Sequence, residues 1–297
     1  MMSAFAAFQG WDALYAFAYA HNRELEARQV SSYFDIKADT CRLAHMPACV
    51  ALFVRRDVST AKELNTVSVS PAAEREALYE SMNPWTLNTD GFGMDGLRAL
   101  QHAIGIQLKN DDQQLELPKS EEPQDHEYLS DTHQLRWNTT VPSAGYFLAD
   151  TPRTKLFTGF VHGRSFQLSD VKLDIGTTKL DWATVSLVCL DGKSFTDSGR
   201  ILITATGCQQ NQGAQLEQRG EERVTLGRRW GHAPVQCEGI PATITLPPTN
   251  GSIELFPLDE RGDRRKAIEV SVTSAGTELQ LKPEHKTVWY ELVIHNQ

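Results

Sequence analysis

The chain has 297 residues, 40% of them apolar and 23% charged, which fits one large domain or two ordinary ones with a sizeable core. A formal net charge of -9 argues against a nucleic-acid partner, because neutralising phosphates takes clustered Lys and Arg. Five cysteines without a C-x-x-C pair predict neither a disulfide framework nor a zinc site, and no metal or cofactor is expected.

At the start, MMSAFAAFQGWDAL has no basic region ahead of an apolar run, so no secretory signal is read there. No apolar run reaches the roughly 18 residues of a bilayer span, and no membrane partner is expected. Phe5, Phe8, Trp11 and Leu14 recur at helical spacing and predict a helix from Ser3 to Leu14. The short apolar run to Tyr19 then reads as a buried strand. From Thr40 to Arg56 a helix is expected, with Leu43, Met46, Val50 and Phe53 on one side and Pro47 kinking or opening it. Cys41 and Cys49, about two turns apart, read as small apolar fillers of that helix.

Thr66 to Ser70 alternates like a strand, Pro71 opens a helix with acidic residues near its positive end, and Met94 to Ile104 reads as a further amphipathic helix. Between Lys109 and Glu127 the composition is that of a linker or exposed loop.

Beyond the linker, short β-branched runs follow one another with turn residues between them. The clearest pair is Trp182 to Cys189 and Arg200 to Thr206, separated by the Leu190-Asp191-Gly192 turn. Gln134 to Trp137, Gly145 to Ala149, Lys155 to Val161, Phe166 to Ile175 and six later runs to Ile294 complete the series. The basic cluster Arg261 to Lys266 reads as a hairpin tip. About a dozen such strands favour two packed sheets, since each then hides an apolar face. The predicted class is mainly β: an antiparallel β-sandwich preceded by an α/β segment. Three regions are expected, an α/β segment at 1–62, a helical connector and acidic linker at 63–128, and the sandwich at 129–297.

QGWDALYAFAY, SSYFDI and AHMPACVALFVRRDV resemble the closing helix-strand-helix unit of a TIM-barrel glycoside hydrolase. DTPRTKLFTGFV, LVCLDG, SGRILITATGCQQNQG, LGRRWGHAPV and KTVWYEL resemble, in order and spacing, the β-sandwich that follows the barrel in a group of bacterial glycoside hydrolases. The resemblance implies that Leu14 to Tyr19 is the last barrel strand and that residues 1–62 are a barrel remnant. It also implies that both catalytic carboxylates belong to strands ahead of Met1, so none is assigned here. An extracytoplasmic location of the parent family is left open.

Glycosidic hydrolysis takes two carboxylates about 5 to 10 Å apart, and the sequence singles out no such pair. Ser198 beside Asp197, with His232 later, matches no elbow motif and reads as a turn. Sugar binding is easier to sustain, because aromatic faces match the C–H face of a pyranose. The candidates are Trp11, Tyr19 and His21 on the expected barrel rim, and Tyr146, Trp182 and Trp230 on the sandwich, with Trp137, Asp181, Gln210 and Asn211 as further possibilities. Core packing is the alternative for each aromatic.

The expected function is an accessory sandwich region of a glycoside hydrolase that contacts a polysaccharide or oligosaccharide. A self-standing glycosidase and a purely structural or binding module are the rivals. An apolar strand at Leu14 to Tyr19 with open edges must be covered or meet a second chain, so a homo-oligomer through the N-terminal segment is also expected.

Overall fold

The computed structural model describes residues 1–23, 25, 26, 28–81, 89–110, 123, 125–140, 144–220, 223–249, 251–273 and 276–295. The chain is mainly β. Its first elements are α1 (Met2–Phe8), α2 (Thr40–Ala44), α3 (Met46–Phe53), β1 (Leu64–Val69), α4 (Pro71–Ser81) and β2 (Ala103–Leu108). Then come β3 (Glu127–Leu129), β4 (Leu135–Asn138), β5 (Tyr146–Asp150), β6 (Thr154–Phe160), β7 (Ser165–Leu168), β8 (Val171–Ile175), β9 (Trp182–Cys189) and β10 (Arg200–Thr206). The rest are β11 (Gln209–Gln212), β12 (Glu217–Gln218), β13 (Val224–Thr225), β14 (His232–Cys237), β15 (Ala242–Leu246), β16 (Ser252–Pro257), β17 (Ser271–Thr273), β18 (Gly276–Leu281) and β19 (Trp289–His295).

Two antiparallel sheets carry the molecule. One has eight strands in the order β16-β19-β10-β9-β6-β5-β4-β3, the other five in the order β17-β18-β15-β8-β7. Both feed side chains into one apolar cluster: Phe157, Val185, Leu187, Ile201, Ile203 and Leu292 from the larger sheet, and Leu168, Leu173, Ile244 and Leu279 from the smaller. Period-2 alternation puts these residues on one face, hereafter the inner face. At the β5–β6 pairing, Tyr146 sits opposite Gly159. A Cβ on Gly159 would lie 2.5 Å from the Tyr146 Cα, so only glycine allows this approach.

The outer face of the large sheet is not left to solvent. Ala4, Ala7 and Phe8 of α1 and Leu52 of α3 pack on Leu135, Phe147, Ala149 and Leu156, while Ala48 and Ala51 meet Val188. Polar contacts fix the end of α3: Arg55 pairs with buried Asp57 at 2.6 Å and donates to the Cys189 carbonyl at 2.8 Å. Asp57 also receives Arg153 at 2.8 Å and the Thr154 hydroxyl at 2.6 Å. Residues 1–62 are therefore welded to strands of the 129–297 region through both apolar and ionic contacts.

Several local expectations change. The first helix stops at Phe8 because Gly10 takes φ 71 and closes a Schellman cap, with Gly10 N–H on Ala7 O and Trp11 N–H on Ala6 O. The Leu14 to Tyr19 run forms no strand: Ala18 and Tyr19 share only three backbone hydrogen bonds with residues 34–37, too few to build a ladder, and Tyr15 and Phe17 are 89% and 75% exposed. The barrel-strand assignment of that run is thus unsupported. The helix expected over Thr40 to Arg56 opens at His45 into α2 and α3, with Pro47 in the first turn of α3.

Where Met94 to Ile104 predicts one helix, a 3-10 turn at Gly96–Leu100 gives way to β2. Parallel pairing with β1, Leu64 opposite Ala103 through Val69 opposite Leu108, draws the chain out of the helix. Phe166 to Ile175 is a hairpin rather than one strand, turning at Ser169-Asp170. Asp259 accepts the Arg261 and Asp263 backbone N–H groups, so the basic cluster does lie on a tight turn. Most of the linker expected at Lys109 to Glu127 lies outside the described residues. No described helix is long and apolar enough to cross a membrane.

Candidate functional site

A groove of about 1130 Å³ lies between the N-terminal segment and the outer face of the eight-stranded sheet. Its floor follows from strand register. Thr158 of β6 sits opposite Thr184 of β9, which sits opposite Thr206 of β10, so three hydroxyls cross the sheet in one row. Thr158 and Thr184 are hydrogen-bonded at 2.7 Å. At the end of the row, buried His45 closes the floor, with Nε2 3.0 Å from Thr206 Oγ1 and Nδ1 3.0 Å from Ser186 Oγ.

A neutral imidazole donates from one ring nitrogen and accepts at the other, and the two hydroxyls turn to match. Burial holds His45 at a pKa of about 4, so the ring is uncharged at neutral pH. The walls are Tyr15 and Phe17 from the N-terminal segment and Phe160 and Trp182 from the sheet, with Asn138, Thr139, Thr140 and Arg42 among the other lining residues. Trp182 is 39% exposed and meets Phe160 edge-on at 5.0 Å. No Asp or Glu is among the described lining residues, so a two-carboxylate arrangement is not formed there. The chemistry offered is hydroxyls, an amide and the Arg42 guanidinium between aromatic faces.

The six aromatic and histidine candidates separate in space. Trp182 and Tyr146 line the groove. Tyr146 is held at the margin of the core, however: its ring meets Phe166 at 5.1 Å, Arg164 lies 5.1 Å over it, and its hydroxyl donates to Glu127 at 3.1 Å. Burial first, and then Glu127, push the phenol above its ordinary pKa. Trp230 is elsewhere, on the turn between Gly227 and Gly231, where it donates to the Gly227 carbonyl at 3.0 Å and meets Tyr33 at 4.7 Å.

Gly231 has φ 72, and a Cβ there would lie 2.4 Å from Gln212 O, so the tight turn read from LGRRWGHAPV is formed. Trp11 is exposed at the end of α1, its carbonyl accepting from Arg56 at 3.0 Å. Tyr19 is exposed. His21 Nδ1 is hydrogen-bonded to Asp35 and its ring stands edge-on to Phe17 at 5.1 Å. The His21 contact holds the Asp35 carboxyl below the usual range.

The remaining possibilities are accounted for by local contacts. Trp137 lines the groove as well, with its ring packed on Phe5 at 5.9 Å. Asp181 pairs with His162 at 2.7 Å, and Gln210 accepts from Lys179 at 3.4 Å. Buried Asn211 accepts the Val30 N–H at 2.8 Å and donates to the Val30 and Trp230 carbonyls, both at 2.7 Å. The Ser198 hydroxyl donates to Asp191 at 2.9 Å rather than to a histidine, so no triad assembles around it.

A second cleft of about 600 Å³ carries Asp259 and Glu260 beside Arg265, Lys286 and Trp289. Asp259 is spent on turn amides, which hold it below the usual carboxylate range. Among the described residues no group of three His, Cys, Asp or Glu side chains is placed to hold a metal.

Sequence reasoning missed Tyr15, Phe17, His45 and the threonine row. The one signal for the row was Thr158, Thr184 and Thr206 standing on the same side of three neighbouring strands. No protein-family model, curated protein or solved structure matches this chain.

Proposed function

We propose that this chain is an accessory β-sandwich region of glycoside-hydrolase type that holds a neutral saccharide in the groove and performs no hydrolysis there. The observation that carries the reading is the pairing of Trp182, Phe17 and Tyr15 with the Thr158-Thr184-Thr206 floor. A pyranose offers an apolar C–H face to an aromatic ring and a rim of hydroxyls that exchange hydrogen bonds with threonines and an amide. The lack of a described carboxylate on the lining supports binding over bond cleavage at this place. The apolar cluster joining the two sheets supports the sandwich assignment. The glycoside-hydrolase part of the reading rests on the sequence motifs alone.

Affinity electrophoresis of the full chain against soluble glucans, xylans and galactans tests it. At least one polysaccharide is expected to retard the protein, with retardation abolished by Trp182→Ala and weakened by Tyr15→Ala. Unretarded migration in all three gels overturns the saccharide assignment. Turnover of aryl glycosides by the pure protein, lost on neutralising one of its acidic residues, overturns the non-hydrolytic assignment in favour of a self-standing glycosidase.

A further inference from the structure

Three of the five cysteines gather where α2 meets the β11–β14 pair. Cys41 Sγ lies 3.5 Å from Cys237 Sγ and 3.4 Å from the Gly207 carbonyl oxygen. Cys208 follows Gly207 in the chain and acts electrostatically on Cys237. Cys41 and Cys237 are both half-buried, the first among the residues lining the groove and the second among those lining the smaller cleft. Each is therefore within reach of a small solute.

We propose that Cys41 and Cys237 form a reversible disulfide that clips the N-terminal segment onto the β11–β14 pair. The side chains already face each other at 3.5 Å between sulfurs, and α2 and β14 are packed in contact. Bonded sulfurs sit about 2.05 Å apart, so closure asks the two side chains for a shift of about 1.5 Å. The carrier of Cys41 is a five-residue helix flanked by loop on one side and the break at His45 on the other.

The two sulfurs are unequal. A hydrogen bond from the Cys41 thiol holds Cys237 below the ordinary thiol range, while the same contact raises Cys41. Cys237 is accordingly the attacking sulfur. The oxidant is a low-molecular-weight disulfide. The Cys237 thiolate attacks one of its sulfurs, forming a mixed disulfide and expelling one thiolate. Cys41 then gives its proton to water and attacks the Cys237 sulfur, expelling the second thiolate. The cysteine pair loses two electrons and the oxidant ends as two thiols. The other thiols compete poorly: burial raises Cys208, and Cys189 is fully buried away from the cluster, beside Arg55.

The test is to incubate the full chain with oxidised glutathione, block it with N-ethylmaleimide and map the peptides without reduction. Two of the five thiols are expected to disappear into one cross-linked peptide pair carrying Cys41 and Cys237. Dithiothreitol should reverse the link, and the oxidised protein should melt roughly 5–10 °C higher. Cys208→Ser should keep the cross-link. Cys41→Ser should replace it with a glutathione adduct on Cys237; if that variant does not fold, Cys237→Ser should show no link at Cys41. Glutathione adducts without any cross-link in the unmodified sequence, or a link joining Cys208 instead, overturn the proposal.

Discussion

The two faces of the eight-stranded sheet solve the same burial problem differently. The inner face carries the main apolar cluster from β16 to β5, with buried Lys155 paired to Asp150 and Asp170, and the five-stranded sheet contributes its other side. The outer face alternates apolar patches with hydroxyls and is roofed by short helices that cover Leu156 and Val188 but leave Thr158 and Thr184 half-exposed. Strands of both sheets contribute to that cluster, whereas helices five to eight residues long cover only what lies directly beneath them. Stability is concentrated on one side of the sheet and the candidate site on the other.

The sharpest way to break this contrast is truncation on each side. Leu187→Ala, in the sealed core, should destabilise by about 4 kcal/mol, and Leu52→Ala, under the helical roof, by about 2–3 kcal/mol because the open groove lets neighbours relax. Urea midpoints at constant slope measure both. Equal losses would mean that the roof is packed as tightly as the core.

Acidity probes the roof next. His45 is held at about 4 against 6.5 when unfolded, so the unfolded chain binds a proton that the folded one refuses. Stability from this group is complete above about 6.5 and declines as the pH falls towards 4, by about 3 kcal/mol in all. His45→Gln should flatten that part of the stability–pH profile relative to the parent chain. An unchanged profile would show that His45 is not the group sensing acid.

A smaller effect is expected at Asn211→Asp, which removes the two donor contacts to the Val30 and Trp230 carbonyls. About 2 kcal/mol should be lost, read by the same urea titration. Smallest of all, Trp182→Ala should shift stability by no more than about 1 kcal/mol, the worth of its edge contact with Phe160. Its polysaccharide retardation should nevertheless vanish. A large stability loss with intact retardation would move Trp182 from the site to the scaffold.

Much of the strand layout was readable because period-2 alternation is a local signal. The limits expected for Arg200 to Thr206 and Ala242 to Leu246 coincide with β10 and β15. What was not readable depends on distant partners. Ile104 leaves its helical pattern for a parallel ladder with Asn65. Nothing local to Thr184 and Ser186 announces that α3 lies over their side of the sheet and brings His45 to Ser186. Tyr15 and Phe17 read as buried because they are apolar, but no strand accompanies them. Of the candidate site, Trp182 and Tyr146 were legible as aromatics on strands, while the groove itself was not, since its two walls come from segments far apart in the chain.

The Asn211 side chain also bears on how the molecule tolerates change. Its amide copies what a peptide unit would offer and fastens two loops to β11 at one residue, Val30 on one side and Trp230 on the other. The β12–β13 ribbon lies in the chain between those two fastened points, Asn211 and Trp230. Extra residues grafted into the ribbon would lengthen an arm whose root stays put, which makes it the natural place to attach a reporter without disturbing the rest of the body.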